Sequence, residues 1–216
     1  MKSFDVSLYL VTDPHMSRSG VEDTVEKALK GGVTLVQLRE KEGDTGELYQ
    51  KAMRLKAVTD AYRVPLIIDD RIDVMLAVDA AGVHVGQSDM PAAIARKLIG
   101  PDKILGVSAG TLEEAVQAEK DGADYLGVGA VFPTQTKKDA DPVSAETLKE
   151  IVRTVSIPVV AIGGIKKENI PLLKDLGLAG VAVVSAIMAA EDPEKEAKEL
   201  SSLVSEKGFK KIRKNC

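Results

Sequence analysis

Short apolar runs rich in β-branched residues alternate with longer amphipathic stretches from one end of the chain to the other. We predict eight strands, at Leu8–Thr12, Leu35–Arg39, Leu66–Asp69, Val83–Gly86, Ile104–Ser108, Tyr125–Ala130, Val159–Gly163 and Val181–Ser185. Between the strands, apolar residues three and four positions apart predict helices. Clear examples are Val21–Lys30, Leu48–Tyr62, Leu112–Lys120 and Ala145–Val155.

Eight strands, each followed by a helix, favour a closed (β/α)8 TIM barrel in a chain of 216 residues. An open doubly wound sheet is the alternative fold. We expect one barrel domain over residues 1–216, in which residues 201–216 form the end of the last helix and a basic tail. A solvated tail is the favoured interpretation of that segment, ahead of a partner site.

Glycines precede every second predicted strand. They stand at Gly31, Gly32, Gly82, Gly122 and Gly180, ahead of strands two, four, six and eight. Glycine there can take the left-handed conformation that ends a helix. Strands three and seven begin instead with a Val-Pro and an Ile-Pro pair. This alternation is typical of a barrel built from duplicated βαβα units.

Composition excludes several classes of protein. The net charge is -4 and only 3% of residues are aromatic, so we expect no nucleic-acid surface. The single cysteine, Cys216, has no intrachain partner, which is typical of a cytosolic protein without disulfides. No apolar stretch resembles a signal peptide or reaches the ~20 residues that span a bilayer. We expect a soluble, cytoplasmic protein with no membrane partner; the sequence leaves a homo-oligomer open.

The end of the second strand carries the most informative segment, Gln37-Leu38-Arg39-Glu40-Lys41. Strand side chains alternate, so Gln37, Arg39 and Lys41 share one face. An amide and two cations at the end of a strand suit a multiply charged anion, most simply a diphosphate. A strand that ends in solvated charge is the alternative, and it is favoured for Lys41 taken alone.

Carboxylates follow the next two strands. Asp69 and Asp70 end strand three, and Asp89 lies in the loop after strand four. Such oxygen ligands suit Mg²⁺, whose coordination is completed by waters and substrate phosphates. Asp is also a favoured helix N-cap, and for Asp70 or Asp89 alone the two interpretations are balanced. Together, beside an Arg/Lys strand, they favour a metal site.

The later strand ends supply further anion-binding groups. Strand five ends at Ser108, and strand six runs into a polar loop with Thr134, Thr136 and Lys137, which suit a phosphate. An ordinary polar loop is the alternative for this segment taken alone, but its length makes it a candidate lid. Gly163 and Gly164 follow strand seven, and Val184 and Ser185 end strand eight. Phosphate-binding barrels use backbone N–H groups of these last two loops. A tight turn is the alternative for the Gly-Gly pair.

In this arrangement the chain resembles the thiamine phosphate synthase family over nearly its whole length, to about Leu200. Eight motifs in order carry the resemblance: Leu10–Asp13, Gln37–Lys41, Ile67–Asp70, Gly82–Gln87 with Asp89, Gly106–Ala109, Phe132–Lys137, Ile162–Ile165 and Val184–Ile187. The resemblance implies a transferase that joins a pyrimidine methyl diphosphate to a thiazole phosphate, in its plain or carboxylated form. The products are thiamine phosphate and pyrophosphate.

The resemblance also implies which residues do this work. The pyrimidine diphosphate would be held by Gln37, Arg39, Lys41, Asp69, Ser108 and Lys137. The thiazole phosphate would be held by Thr134, Gln135, Thr136, Gly164, Val184 and Ser185. Mg²⁺ would sit between Asp70 and Asp89, and the catalytic cations would be Arg39, Lys41 and Lys137, which stabilise the departing diphosphate. The thiazole nitrogen carries no proton, so no general base is required.

Two residues depart from this scheme or stand outside it. The family usually has asparagine where this chain has Asp69; a carboxylate there repels a diphosphate unless Mg²⁺ or Arg71 offsets it, and we expect Asp69 to join the metal shell. His84 lies in strand four and is expected to line the barrel, either near the pyrimidine or as a packed structural residue.

Three rival functions fit less well. A thiazole tautomerase would carry a histidine in strand six, where this chain has Ala130, which cannot transfer a proton. A non-catalytic barrel that senses or stores thiazole or thiamine phosphate would not need the Arg39, Lys41 and Asp70 set. An isomerase of tryptophan or histidine synthesis would leave the Gln37–Lys41 segment unexplained.

Overall fold

The computed structural model describes residues 4–134, 142–205 and 208–209, which fold as a TIM barrel. The parallel strands form one closed barrel in chain order, and β8 pairs with β1. The strands are β1 (Leu8–Val11), β2 (Leu35–Leu38), β3 (Leu66–Asp69), β4 (Gly82–Val85), β5 (Ile104–Ala109), β6 (Tyr125–Val128), β7 (Val159–Ile162) and β8 (Gly180–Val183). Closure rules out the open doubly wound sheet, and the predicted (β/α)8 barrel is confirmed.

Helices cover the outside of the barrel. They are α1 (Val21–Lys30), α2 (Thr45–Ala61), α3 (Ile72–Ala77), α4 (Ala92–Ile99), α5 (Leu112–Lys120), α6 (Ala145–Thr154), α7 (Ser185–Met188) and α8 (Pro193–Ser205). Side-chain caps set several starts: Asp44 accepts from the Glu47 N–H at 2.9 Å, and Thr111 forms a capping box with Glu114. None of the helices in the described part of the chain is long and apolar enough to cross a membrane.

One repeat unit departs from the expected strand–helix pattern. Between β7 and β8 the described chain forms only a 3₁₀ helix, Ile170–Leu173, with Pro171 in its first turn. After β8 the short helix α7 precedes α8. The prediction of one helix after every strand is therefore wrong at strand seven. The amphipathic pattern there is too short for a regular helix.

The core has two layers. The larger layer fills the space between the strands and the helices, with residues such as Leu10, Val36, Ile68 and Leu126. The second layer fills the barrel itself, where Leu35, Ile67 and Val160 pack with two tyrosines, Tyr9 and Tyr125. Barrel interiors normally carry bulky branched side chains, so two phenols there are unusual.

The alternating glycines have two different structural causes. Gly32 and Gly122 have positive φ, of 104° and 90°, as expected at helix ends. Gly82 and Gly180 do not, and the expectation of a left-handed conformation is wrong for them. They are the first residues of β4 and β8, and a Cβ would lie 2.1 Å from the Ile104 carbonyl oxygen and 2.0 Å from that of Val6. Close packing of neighbouring strands therefore requires glycine there.

The last helix closes the outer layer by packing against the first. A Cβ at Gly31, just after α1, would lie 2.4 Å from the Glu194 carbonyl oxygen and 2.6 Å from the Ala197 Cβ. Both of these residues belong to α8. The close approach of the two helices therefore depends on the missing side chain of Gly31.

Candidate active site

Charged side chains from β2 and β3 meet at the carboxyl-terminal rim of the barrel. The Lys41 ammonium lies 2.9 Å from Asp69 Oδ2 and also contacts the Asp70 carboxylate. Arg39 Nε lies 3.8 Å from the same Asp69 oxygen. Because parallel strands of a closed barrel end at one rim, these groups converge even though they lie ~30 positions apart in the chain. The structure brings Arg39, Lys41, Asp69 and Asp70 together as predicted.

The loop that presents the two cations is held on both sides. β2 ends at Leu38, one residue earlier than predicted, and the Arg39 N–H then donates to Thr12 Oγ1 at 3.1 Å. Glu40 faces away from the rim, where its buried carboxylate lies 2.6 Å from Lys51 Nζ of α2. Arg39 and Lys41 therefore face the rim while Glu40 faces away from it, so the predicted side-chain alternation continues beyond the last residue of β2.

Gln37 takes a different place from its two neighbours in the motif. Its amide is buried inside the barrel, and Nε2 donates to the Tyr9 hydroxyl at 2.6 Å. We expected Gln37 to share the anion-binding face with Arg39 and Lys41. The structure places it one layer below them, at the base of the rim, and its contact with the diphosphate stays a prediction.

Neither predicted metal ligand caps a helix. The N-cap of α3 is Arg71 and that of α4 is Pro91. Asp70 has a left-handed backbone with φ of 50°, a strained conformation for a residue other than glycine, and its N–H donates to the His84 carbonyl oxygen at 2.8 Å. Asp89 Oδ2 accepts from the Gly86 N–H at 2.7 Å. The alternative interpretation as N-caps is therefore wrong.

The charged groups at the rim shift the pKa values of Asp70 and Lys41. Burial raises the pKa of Asp70 above its ordinary value; the nearby Lys41 lowers it, while Asp69 and Asp89 raise it further. For Lys41, partial burial lowers the pKa, but hydrogen bonds to Asp70 and Asp69 outweigh burial and raise it overall. The site therefore holds one ammonium among several carboxylates that repel one another, an arrangement that favours a further cation.

Asp69 is paired with the two rim cations and not with Arg71. The Arg71 guanidinium turns away, with Nε 2.9 Å from Asp73 Oδ1 and Nη2 2.8 Å from Thr45 Oγ1. Lys41 and Arg39 contact Asp69 instead. Of the two groups that the sequence offers to offset this carboxylate, Mg²⁺ and Arg71, the structure excludes Arg71, because Asp73 on its own helix takes the guanidinium.

The chemistry of the donor set suits Mg²⁺. Among the described residues, no group of three or more His, Cys, Asp or Glu side chains could hold a metal by itself. Asp89 lies near enough to raise the pKa of Asp70. Proteins usually bind Mg²⁺ through one or two carboxylates, and waters and substrate phosphates supply the other ligands. Asp70 and Asp89 therefore fit that ion.

A chain of hydrogen bonds crosses the barrel interior beneath this rim. The Tyr9 and Tyr125 hydroxyls lie 2.8 Å apart, and the Tyr125 hydroxyl lies 3.0 Å from His84 Nδ1. His84 Nε2 in turn lies 2.9 Å from Ser108 Oγ. With Gln37 donating to Tyr9, the chain connects β2, β1, β6, β4 and β5. His84 lines the barrel as predicted, with its side chain engaged in this chain.

Sequence reasoning missed the two tyrosines and the Glu40–Lys51 pair. The available signal was the position of Tyr9 and Tyr125 in otherwise apolar strands of a chain that is only 3% aromatic. A buried phenol needs a hydrogen-bond partner, so two inward-facing tyrosines indicate a polar layer. Which partners they take depends on the barrel's three-dimensional arrangement, which no local pattern records.

The predicted phosphate loops lie at the opposite side of the rim. Gly163 and Gly164 have φ of 97° and 66°, and a Cβ at Gly164 would lie 2.5 Å from the Pro133 carbonyl oxygen. The pair therefore lets the loop after β7 pack against the segment after β6. β8 ends at Val183, so Val184 precedes α7 and Ser185 begins it. A short helix after strand eight is a common element of phosphate-binding barrels.

Three predicted site residues, Gln135, Thr136 and Lys137, lie outside the described residues. Thr134 is the last described residue before that segment. Ala130, the position where a tautomerase would carry histidine, follows β6 and is buried.

Comparisons with known proteins point to one family. The family model described as thiamine monophosphate synthase matches residues 8–187. A thiamine-phosphate synthase of Ruminiclostridium cellulolyticum is 60% identical over 202 residues, 93% of this chain and 96% of that protein. One of Clostridium tetani is 53% identical over 206 residues, 95% of this chain and 99% of that protein. The solved structure of a thiamine phosphate pyrophosphorylase from Pyrococcus furiosus has a TM-score of 0.85 and 46% identity, and covers 92% of this chain and 95% of its own.

Proposed function

The chain belongs to the thiamine monophosphate synthase family, and from that premise we propose the reaction and the residues that perform it. The enzyme joins a pyrimidine methyl diphosphate to a thiazole phosphate and releases pyrophosphate and thiamine phosphate; a carboxylated thiazole phosphate would also lose its carboxyl group as CO2. The observation that carries the proposal is the meeting of Arg39 and Lys41 with Asp69 and Asp70 at one rim. A rim of this composition suits a diphosphate, whose charge Arg39 and Lys41 would offset as it departs.

The chemical step breaks the bond between the pyrimidine methylene carbon and the diphosphate oxygen. Negative charge then develops on the leaving diphosphate, and Arg39, Lys41 and Lys137 stabilise it as catalytic residues. Ser108 and Gln37 hold the pyrimidine diphosphate from the barrel interior. The thiazole nitrogen attacks the methylene carbon and has no proton to lose, so no residue is assigned as a general base.

Asp70 and Asp89 would hold Mg²⁺, with Asp69 beside them in the metal shell. When bound, the ion would neutralise part of the charge on the diphosphate. Two local features hold these carboxylates in position on neighbouring loops. Asp70 has a left-handed backbone conformation, and the Gly86 N–H donates a hydrogen bond to Asp89 Oδ2.

The thiazole phosphate would lie across the rim, against the loops after β6, β7 and β8. Backbone N–H groups of Gly164, Val184 and Ser185 would hold its phosphate, and Thr134, Gln135 and Thr136 would close over it from the loop after β6. The two anions would then occupy opposite sides of one barrel mouth, which places the thiazole nitrogen toward the pyrimidine methylene carbon.

We further propose that the enzyme works in the cytoplasm as one barrel domain, without nucleic-acid or membrane partners. Whether it acts as a homo-oligomer stays a prediction to be tested by light scattering. Proton transfer of the tautomerase kind is not proposed, because Ala130 offers no proton-carrying group.

The direct test mixes both phosphorylated precursors with the enzyme, with and without Mg²⁺. Thiamine phosphate and pyrophosphate should appear in equal amounts and only with the metal. Arg39→Ala should slow turnover far more than it weakens thiazole phosphate binding. Arg54→Ala is the matched control, because Arg54 pairs with Glu22 on the outer helices. Formation of either product without the other would refute the proposed reaction.

A further inference from the structure

The chain of hydrogen bonds inside the barrel has a defined direction because the atom at its start, Gln37 Nε2, can only donate. The amide nitrogen of Gln37 carries protons and no lone pair for a hydrogen bond. Its Nε2 faces the Tyr9 hydroxyl at 2.6 Å, so the Tyr9 oxygen accepts there. The single proton of Tyr9 is then left to be donated onward.

The same count of donors and acceptors sets the direction of the next two hydrogen bonds. If Tyr9 donates to Tyr125, then Tyr125 donates to His84 Nδ1 at 3.0 Å. The reverse order would direct two donors at Tyr9 and leave the Tyr9 proton without an acceptor among the described residues. Such an orphan is costly in a side chain only 2% exposed, and every buried side-chain polar atom in the described structure has a partner.

We infer that this chain fixes His84 in the Nε2–H tautomer and thereby orients the hydroxyl of Ser108. With Nδ1 accepting from Tyr125, the ring proton lies on Nε2 and is donated to Ser108 Oγ at 2.9 Å. The Ser108 proton is then turned away from the imidazole, toward the barrel mouth. Ser108 presents a donor O–H to an anionic oxygen, and Tyr125 and His84 are positioning residues. The identity of that anion as a diphosphate rests on the proposed function; the direction of the chain does not.

The strands make room for these groups where a barrel interior would normally be filled. A Cβ at Gly106 of β5 would lie 2.3 Å from the Tyr125 hydroxyl oxygen and 2.5 Å from His84 Nδ1. At Gly127 of β6 it would lie 3.3 Å from His84 Cε1. Barrel layers usually hold bulky branched side chains from alternate strands. Here two strands contribute glycine so that the phenol and the imidazole meet.

The first test reads the tautomer directly, in the full chain without ligand. Long-range proton–nitrogen NMR of ¹⁵N-labelled histidine distinguishes a protonated Nε2 from a protonated Nδ1. The sequence has two histidines, and the exposed His15 is assigned by its loss in His15→Gln. We expect His84 as Nε2–H. A protonated Nδ1, in either the other tautomer or a doubly protonated ring, would overturn the inference.

Two conservative variants separate the links. Tyr125→Phe removes the donor to Nδ1 and should give a mixture of tautomers. Tyr9→Phe removes the link to Gln37 but leaves Tyr125 facing His84, so the Nε2–H tautomer should persist. Equal tautomer populations in wild type and Tyr125→Phe would overturn the inference. Circular dichroism and thermal unfolding confirm that each variant is folded.

The second test measures what the orientation does for anion binding, with inorganic pyrophosphate and Mg²⁺ as the probe in calorimetry. His84→Leu should weaken pyrophosphate binding by about tenfold, as expected for a lost hydrogen bond to a charged group. His84→Gln should recover most of the loss, because its amide can accept from Tyr125 and donate to Ser108. Equal affinities in these two variants would overturn the positioning role.

The outcomes for the inference and for the proposed function are distinct. A wild-type chain that forms no thiamine phosphate refutes the proposed reaction, whereas the NMR pattern and the pyrophosphate measurements still decide the inference. A wild-type chain that fails to bind pyrophosphate overturns the assignment of the anion. The NMR result then decides the tautomer of His84 independently of which anion binds.

Discussion

The ammonium of Lys51 on α2 lies 2.6 Å from Glu40 Oε2, whose side chain is only 5% exposed. Glu40 separates Arg39 from Lys41, so this ion pair anchors the segment that presents both catalytic cations. A buried carboxylate is tolerated when a partner neutralises it. The helix outside the barrel therefore determines where the rim cations lie.

Lys51→Met should destabilise the protein because it leaves the Glu40 carboxylate buried without its cation. We expect a loss of about 1–3 kcal/mol in the free energy of unfolding, measured by urea denaturation. Turnover should fall more than thiazole phosphate affinity, since Arg39 and Lys41 lose their anchor. The double variant Glu40→Gln/Lys51→Met removes both charges and should regain part of the stability. A double variant no more stable than Lys51→Met would contradict this account.

Asp69→Asn tests the carboxylate that now engages both cations. Without Mg²⁺, removing this charge frees Arg39 and leaves Lys41 paired with Asp70 alone, and should strengthen pyrophosphate binding by about threefold to tenfold, measured by calorimetry. In the assay, the Mg²⁺ concentration for half-maximal turnover should rise, because the metal shell loses an anionic oxygen. Asp73→Asn, which affects a carboxylate paired with Arg71, is the control. An unchanged Mg²⁺ requirement would show that Asp69 lies outside the metal shell.

Gly106→Ala should disrupt the interior polar layer. Its Cβ would lie 2.3 Å from the Tyr125 oxygen, closer than any ordinary contact, so both strands must shift. Overpacking of this kind costs about 1–3 kcal/mol, seen as a lower denaturation midpoint at an unchanged slope. Gly127→Ala is the matched control, because its nearest neighbour would be 3.3 Å away. Equal losses in the two variants would argue against a specific clash with the polar chain.

Alkaline pH should destabilise the protein through its buried phenols. Burial raises the pKa of both Tyr9 and Tyr125 above the ordinary value of 10.0. Above that value the phenols of the unfolded chain lose protons while the folded ones keep theirs, so stability is present below pH 10 and falls as pH rises. The slope is up to about 1.4 kcal/mol per pH unit for each phenol.

The measurement is the free energy of unfolding between pH 9 and pH 11 in about half-unit steps. Tyr125→Phe should show a shallower decline than wild type, even though its stability at neutral pH is lower. Tyr9→Phe should behave similarly, and the double variant should lose the contribution of both phenols. Parallel curves for wild type and variants would contradict the assignment.

The sequence predicted the barrel because the signals for it are local. Strand three was predicted with its observed ends, Leu66–Asp69, and helices Val21–Lys30 and Leu112–Lys120 with theirs. The other seven strands differ from prediction by one or two residues at their carboxyl-terminal end. Six of them were predicted too long, because side-chain alternation continues beyond the ladder hydrogen bonds, and β5 was predicted one residue too short. The charged rim could be predicted for the same reason. Side-chain alternation places Arg39 and Lys41 on one face of the strand and Glu40 on the other, and the parallel strands of a barrel end at one rim.

Contacts across the barrel could not be predicted in this way. Tyr9 and Tyr125 are separated by 116 positions, and their contact depends on strand register and on the space left by Gly106. The direction of Arg71 was missed because Asp73, two residues away, competes for its guanidinium. Glycines 82 and 180 looked like helix ends, but strand crowding is the cause, and that too is a property of the closed barrel.

The packing of α8 on Gly31 of the first repeat has a consequence for biosynthesis. β1 pairs with β2 early, but its second partner, β8, and the partner of α1 in this packing, α8, are made last among the described elements. On the ribosome, the amino-terminal repeats therefore stay open at one edge until β8 and α8 have been translated. A nascent chain arrested before Pro193 should remain sensitive to protease, whereas release of the final helix should confer resistance in a single cooperative step.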